Sequence, residues 1–276
     1  MRWNTLRRIS RRESLKICLV PASALACGAT AGGWLLGCSD RGPAMAGSGG
    51  SRAAPRVPWA TGGTKSMKGG YPDPFDMGVG GTACALYPSQ MLGPCYANSP
   101  AMREDITGSM NGLPTRLSFL VVRGSACDPV PDATVDIWHS STYGVYSAFA
   151  TGTICNPSTM DVQQDMFCRG VQVTNDAGRA DFNSVFPGWY SGRAVHIHFT
   201  VTVGGRAMKT SQLYFEDDLI TEIHSQGEYM ARGMRSTINA ADVTFSSGGA
   251  SPEEILMSTV KRPDGVLHAW KVLSIG

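Results

Sequence analysis

The chain has 276 residues, of which 42% are hydrophobic and 17% are charged, a composition that allows a packed core and excludes wholesale disorder. The formal net charge is only +2, and five arginines within the first 12 residues supply much of the positive charge. The rest of the chain is near neutral, so we expect no nucleic-acid partner.

Residues 1–38 have the features of an export signal. The pair Arg11-Arg12, within residues 10–16, fits the bacterial twin-arginine pattern, and an apolar stretch rich in small residues follows over residues 17–37. Pro21 and several glycines interrupt this stretch, which makes it a poor membrane-spanning helix. An uncleaved membrane anchor is the alternative. The twin-arginine route carries folded proteins, so it also hints at a cofactor loaded inside the cell.

Two cleavage sites compete at the end of the signal. Residues 35–38 resemble a lipobox, in which Cys38 would be acylated and would attach the chain to a membrane, whereas residues 44–46 suit ordinary signal peptidase. Either reading predicts an exported protein, periplasmic or membrane-anchored on the extracytoplasmic side.

Residues 39–82 are rich in Gly, Ser, Ala and Pro and predict a flexible linker, so we place the folded domain at residues 83–276. Five cysteines lie in that domain and would face an oxidising compartment. The spacing favours a disulfide between Cys155 and Cys168, and the pairing of the others stays open: Cys84, Cys95, Cys127.

From residue 117 onward, short β-prone runs alternate with turn signals, while helical periodicity is confined to residues 219–223 and 253–260. This pattern predicts an all-β fold, a two-sheet β-sandwich with long loops. The predicted strands cover residues 117–122, 133–139, 171–174, 179–182, 196–203, 206–215 and 270–273.

The strand from His196 contains a histidine pair. Because side chains alternate along a strand, His196 and His198 point to one side, and the apolar residues Ile197 and Phe199 point to the other. Two imidazoles on one face can share a metal ion. The alternative is a polar sheet face.

Two tyrosines lie within reach of this strand. Tyr190 follows the turn of residues 186–189, and Tyr146 follows the strand that contains Trp138. Each alone is equally explained as a half-buried tyrosine with a hydrogen-bonded hydroxyl. A phenol has a pKa near 10, so it binds metal only beside an acidic ion such as Fe(III).

The chain from about Leu92 to the C-terminus resembles the intradiol ring-cleavage dioxygenases, and within them the β chain of protocatechuate 3,4-dioxygenase. Several short motifs occur in the family's order: Gly93-Pro94-Cys95-Tyr96, Arg103-Glu104-Asp105-Ile106, residues 131–139, Gly144-Val145-Tyr146-Ser147, residues 169–174, Pro187-Gly188-Trp189-Tyr190, His196-Ile197-His198 and residues 211–215.

This resemblance implies a non-haem Fe(III) site. The implied ligands are Tyr146 and His196 in the equatorial plane and Tyr190 and His198 on the axis, with Tyr190 also taking part in catalysis. Arg193 falls where the family has an arginine beside the substrate, and Gln212 where it has a glutamine near that arginine. The plainer readings are a solvated loop charge and a sheet-edge amide.

The resemblance further implies that dioxygen cleaves a catechol-type ring between its two hydroxyl-bearing carbons, giving a muconate-type diacid in aromatic compound catabolism. The segment between Tyr190 and His196 is shorter than in the well-studied enzymes, so we expect a more open pocket. We expect no counterpart of the helical N-terminal dimerisation segment of the catechol dioxygenases, because the linker before residue 83 is too poor in apolar residues, and pairing of the chain with itself or with a sister subunit is left open.

Three competing hypotheses remain. One is a non-catalytic exported β-sandwich binding module. Another is a cupin-type oxygenase, which usually places a carboxylate soon after the histidine pair, whereas the first acidic residue after His198 is Glu216. The third is a zinc hydrolase, which the sequence favours least because tyrosinate is a rare zinc ligand and no C-x-x-C spacing occurs.

Overall fold

The computed structural model describes residues 57–76, 84–98 and 101–276, all within one compact unit, Ala54–Gly276. The expected export signal, the acylation site at Cys38 and the first part of the expected linker lie outside the described residues. No helix in the described ranges is long and apolar enough to cross a membrane.

The domain is an all-β sandwich of two sheets, so the predicted fold class is confirmed. The strands are β1 Pro114–Arg123, β2 Asp128–Pro129, β3 Thr134–Trp138, β4 Arg169–Val173, β5 Arg179–Val185, β6 His196–Val203, β7 Arg206–Tyr214, β8 Ser258–Lys261 and β9 Leu267–Ile275. In the five-stranded sheet the central strand β1 runs parallel to β9 and antiparallel to β2 and β5, while β8 pairs with β9. The four-stranded sheet is antiparallel, in the order β4-β3-β6-β7.

The described helices are short: α1 Asp217–His224, α2 Gly227–Met230 and α3 Pro252–Ile255, with 3-10 turns at Gly63–Ser66, Asn239–Ala241 and Ser247–Gly249. The helix predicted over residues 219–223 lies within α1. The helix predicted over residues 253–260 ends early because Ser258–Lys261 pairs with β9, and sheet pairing overrides local propensity.

Strand β6 divides its two faces as its alternation predicts. Ile197 and Phe199 are fully buried in the core between the sheets, which leaves His196 and His198 on the opposite face. The β6–β7 turn contains Gly204 and Gly205 at φ +56° and +77°, the left-handed conformation that a tight hairpin requires.

The expected disulfide between Cys155 and Cys168 is wrong. The crosslinks are Cys84–Cys127 and Cys95–Cys155, with Cα–Cα distances of 5.2 and 5.5 Å, and Cys168 is a free, buried thiol. Cys168 directly precedes β4, whereas the loop containing Cys155 turns towards the segment before β1. Nearness in sequence therefore misled the pairing.

Residues 57–76 fall within the segment expected to be a flexible linker, yet they pack on the domain. Ala60 N–H donates to the Gly265 carbonyl, and the Trp59 indole donates to Glu222. The Lys261 ammonium lies 3.9 Å from the centre of the Trp59 ring. The Gly- and Ser-rich composition of the segment predicted a linker, but the aromatic side chain of Trp59 makes specific contacts with the folded domain.

Candidate metal centre

Four side-chain donors meet at one buried point beside the four-stranded sheet. The Nε2 atom of His196 lies 3.0 Å from His198 Nε2, 3.2 Å from the Tyr190 hydroxyl and 3.4 Å from the Tyr146 hydroxyl. The two histidines come from β6, and the two tyrosines come from separate loops. All four residues that the sequence predicted as ligands are thus brought together.

Strand pairing and a close backbone approach hold the imidazole of His198. Trp138 on β3 pairs with His198, and the two rings stack with centroids 5.0 Å apart and planes at 5°. A Cβ atom added at Gly93 would lie 2.9 Å from His198 Cε1, so only glycine allows this approach. His198 can therefore move little within the plane of its stack.

The two tyrosine loops interlock through their backbones. The Ser141 carbonyl accepts hydrogen bonds of 2.9 Å from both Gly144 and Gly188, which lie shortly before Tyr146 and Tyr190. Gly144 has φ +70°, and a Cβ atom there would lie 2.0 Å from the carbonyl oxygen of Trp189. The positions of the two phenols are thus set by one shared set of contacts.

The hydrogen bonding of His196 indicates its tautomer. Its Nδ1 atom lies 2.7 Å from the Ala194 carbonyl, so we assign the ring proton to Nδ1, which leaves the Nε2 lone pair facing the other donors. Burial is the main cause that holds the pKa of both His196 and His198 well below the usual value, and the positive charge of Arg193 is the second. Both imidazoles are therefore neutral and able to bind a metal.

The phenols differ from the imidazoles because they must lose a proton before they can bind a metal. Burial raises the pKa of Tyr146 well above 10, and burial also raises that of Tyr190, although Arg193 opposes the rise there. In the protein alone both hydroxyls keep their protons. A strongly charged cation at this point would reverse that preference.

The spacing of the donors fits one shared ion. Donors about 2.1 Å from an ion lie about 3.0 to 3.4 Å apart when the angle at the ion is between about 90° and 110°. No group of three or more His, Cys, Asp or Glu that could hold a metal occurs among the described residues. A metal at this point would thus have two nitrogen ligands and two phenol oxygens, a set that does not match the cupin or thiolate-zinc alternatives.

Arg193 and Gln212 lie together next to the donors. The guanidinium Nη2 donates to Gln212 Oε1 and, at 3.1 Å, to the Tyr214 hydroxyl. Its Nε lies 3.0 Å from a carboxylate oxygen of Asp242. The side chain of Arg193 is 17% exposed, so it is not a solvated loop charge.

Sequence reasoning missed Asp242 and Tyr214. The carboxylate of Asp242 is fully buried and also accepts the backbone N–H of Ala194 at 2.8 Å, which fixes the segment before His196. Tyr214 could have been found, because it is two residues from Gln212 on the same strand and hence on the same face. Asp242 carries no such signal, since it joins the site from a loop 49 residues after Arg193.

Arg169 on β4 was also missed as part of this site. It pairs across the sheet with Trp138, is 2% exposed, and its guanidinium carbon lies 5.8 Å from the centre of the Tyr146 ring. The guanidinium donates to the side-chain and backbone oxygens of Ser147, the residue after Tyr146.

Comparison with known proteins gives a consistent result. The family model described as Dioxygenase matches residues 91–228, half of the chain. The chain is 29% identical over 144 residues to chlorocatechol 1,2-dioxygenase of Rhodococcus opacus, which covers 45% of this chain and 48% of the relative. The chain thus spans about half the length of that curated relative.

Among solved structures, an intradiol ring-cleavage dioxygenase from Tetranychus urticae is similar with 26% identity and a TM-score of 0.63, covering 70% of this chain and 95% of that one. A second dioxygenase crystal structure has 27% identity, the same TM-score and the same coverage. The matched family segment contains all four metal-donor side chains as well as Arg193 and Gln212.

Proposed function

Because the chain belongs to the intradiol ring-cleavage dioxygenase family, we propose that it binds Fe(III) and cleaves a catechol-type ring between its two hydroxyl-bearing carbons. Dioxygen is the co-substrate, and a muconate-type diacid is the product. The observation that carries this proposal is the convergence of two phenol oxygens and the Nε2 atom of His198 on the Nε2 atom of His196, at distances of 3.0 to 3.4 Å. The name of the relative, chlorocatechol 1,2-dioxygenase, suggests that the substrate is a catechol.

Fe(III) suits the four donors for reasons of charge. Two phenolates would offset two of its three charges, and the neutral imidazoles complete a nitrogen and oxygen set without thiolate. When bound, the ferric ion would supply the Lewis acidity that lowers the pKa of the substrate's hydroxyl groups and activates the ring towards dioxygen. Tyr146, Tyr190, His196 and His198 would hold it.

Tyr190 is the phenol that we expect to accept a proton from the substrate. Tyr146 is 1% exposed, whereas Tyr190 is only partly buried and lies nearer the surface. Burial raises the pKa of both phenols and Arg193 opposes it in both, but the hydrogen bond between them lowers the pKa of Tyr190 and raises that of Tyr146, which favours the anionic form at Tyr190. A phenolate oxygen there can take up the proton that a catechol hydroxyl releases on binding.

Arg193 would stabilise negative charge that develops on the substrate ring and its oxygens. Its guanidinium is held on two sides, by Asp242 and by Gln212, so little reorganisation is needed during the reaction. Gln212 in turn donates from Nε2 to the Met91 carbonyl at 3.1 Å, which orients its oxygen towards the arginine. Gln212 therefore acts by directing Arg193.

The first test is optical. Iron-loaded protein should show a visible tyrosinate-to-iron charge-transfer band, and Tyr146→Phe or Tyr190→Phe should shift or weaken it. Tyr143→Phe is the matched control, because Tyr143 belongs to the same loop but is 40% exposed. Stoichiometric ferric iron with no visible band would reject the assignment, and a colourless, iron-free protein would favour the non-catalytic binding module.

The second test concerns the product. A panel of catechols should consume oxygen and give acyclic dicarboxylates that contain both atoms of dioxygen. A yellow semialdehyde would instead mean that the ring opens beside the diol, which contradicts the proposal.

The proposed location is outside the cytoplasm. Residues 1–38 would direct export, and an acylated Cys38 would attach the chain to the extracytoplasmic face of a membrane. The two disulfides support this proposal, because such crosslinks persist in oxidising compartments. Mass spectrometry of the mature N-terminus in the native host tests it, and a cytoplasmic protein starting at Met1 would refute it.

A further inference from the structure

One disulfide lies against the metal centre. Cys95 and Cys155 are 5% and 2% exposed, and they form a small apolar cluster with Trp138 and Tyr146. The crosslink joins two loops that are remote in sequence, separated by 60 residues. Each of these loops contacts a different metal donor.

The Cys155 end contacts the loop of Tyr146. The backbone N–H of Tyr146 donates to the Cys155 carbonyl at 2.8 Å. This bond fixes the backbone of the phenol donor directly to the residue that carries the crosslink. Movement of Cys155 would therefore be transmitted to Tyr146 with no intervening side chain.

The Cys95 end contacts the surroundings of His198. Cys95 is two residues from Gly93, where an added Cβ atom would lie 2.9 Å from His198 Cε1. The following residue, Tyr96, packs edge-on against Trp138 at 4.9 Å, and Trp138 stacks on His198. The loop of Cys95 therefore supports His198 from two directions.

Arg169 joins the same two loops without a covalent bond. Its Nη2 donates to the Cys95 carbonyl at 2.8 Å and to the Ser147 carbonyl at 2.9 Å. The carboxyl group of Asp136 also interacts electrostatically with this buried guanidinium. The hydrogen bonds of Arg169 to the two carbonyl groups nevertheless place it as a link between the loops.

We propose that the Cys95–Cys155 disulfide is a positioning element of the metal centre, which holds the loop of Tyr146 at a fixed distance from the loop that supports His198. The proposal rests on the proposed iron site for its consequence, but the fixed backbone exists without iron. When the crosslink is opened, Arg169 still joins the Cys95 carbonyl to the loop of Tyr146. The backbone of Tyr146 becomes more mobile, and the site therefore binds metal more weakly.

The chain contains its own control for this proposal. The second disulfide, Cys84–Cys127, spans 43 residues, so its effect on the entropy of the unfolded chain is similar to that of the 60-residue crosslink. It joins the segment before Tyr87 to the turn between β1 and β2. Comparing the paired variants C95A/C155A and C84A/C127A therefore separates local positioning from general stabilisation.

The first measurement uses iron-free protein and follows hydrogen exchange at the Tyr146 amide. We expect exchange to accelerate in C95A/C155A and to stay at the wild-type rate in C84A/C127A. Equal acceleration in both variants, or in neither, would overturn the proposal. If C95A/C155A does not fold, the same amide is followed in folded C84A/C127A before and after a reductant opens the remaining Cys95–Cys155 crosslink.

The second measurement is the dissociation constant of ferric iron, with the visible band as its readout. We expect C95A/C155A to bind iron about 10- to 100-fold more weakly, as outer-shell changes commonly do, and C84A/C127A to match wild type. Equal affinity in the two variants would contradict the role in metal binding. A wild type that binds no ferric iron would refute the proposed function instead, and hydrogen exchange alone would then decide whether the crosslink positions Tyr146.

Discussion

Replacement of Asp242 by asparagine tests how firmly Arg193, beside the candidate metal centre, is anchored. The carboxylate is 0% exposed and accepts hydrogen bonds from Arg193 Nε, Ala194 N–H and Thr244 N–H. An amide replaces one acceptor oxygen by a donor and removes the charge, so Arg193 is left partly buried without its counter-ion. Breaking a buried ion pair from one side costs about 3 to 5 kcal/mol.

The expected loss corresponds to a fall in Tm of about 6 to 20 °C, at about 2 to 4 °C per kcal/mol for a domain of this size. Thermal and urea unfolding of the oxidised protein measure it. Glu104→Gln is the matched control, because Glu104 is 54% exposed and its partner Arg116 keeps a second ion pair with Asp181 at 3.3 Å. That substitution should cost about 0 to 1 kcal/mol. A D242N protein as stable as E104Q would show that the carboxylate does not anchor Arg193.

Three further predictions concern other parts of the structure. Gly144 and Gly152 both have a left-handed backbone, at φ +70° and +75°, but only at Gly144 would an added Cβ atom lie 2.0 Å from the Trp189 carbonyl oxygen. Thermal unfolding should therefore show that Gly144→Ala loses about 1 to 3 kcal/mol more stability than the control Gly152→Ala. Equal losses would mean that this contact does not hold the tyrosine loops together. Burial raises the pKa of Asp136 to about 7. Between about pH 4 and pH 7 the folded state therefore keeps a proton on this group that the unfolded state has released. The contribution of Asp136 to the free energy of unfolding falls as the pH rises through this range. Asp136→Asn mimics the protonated acid and should match wild type near pH 4 but exceed it in urea unfolding above pH 7; a constant difference across this range would refute the shift. Trp59→Ala removes a hydrogen bond and a cation–π contact, so residues 57–76 should become more sensitive to limited proteolysis, and unchanged cleavage would show that other contacts hold them.

The two sheets followed from the sequence because strand periodicity is a local property. The alternation from His196 to Val203 specified both a buried face and a polar face, and β6 has the predicted bounds. Helix prediction was less successful at residues 253–260, where the pairing of Ser258–Lys261 with a remote strand decides the conformation. The prediction of cysteine pairing was wrong for the same reason, since Cys155 forms a disulfide with the remote Cys95 rather than with Cys168, which is nearer in sequence.

The sequence by itself determined the kinds of donor and their faces: two imidazoles on one side of a strand and two phenols after turns. Only the tertiary structure decided that the other three donor atoms lie 3.0 to 3.4 Å from His196 Nε2, and that Asp242, Arg169 and the Cys95–Cys155 crosslink hold the surrounding loops. The physical reason is that side-chain type and strand alternation depend on neighbouring residues. The cluster of donors depends in addition on contacts between remote segments, such as those of Tyr146 and His196, which are 50 residues apart.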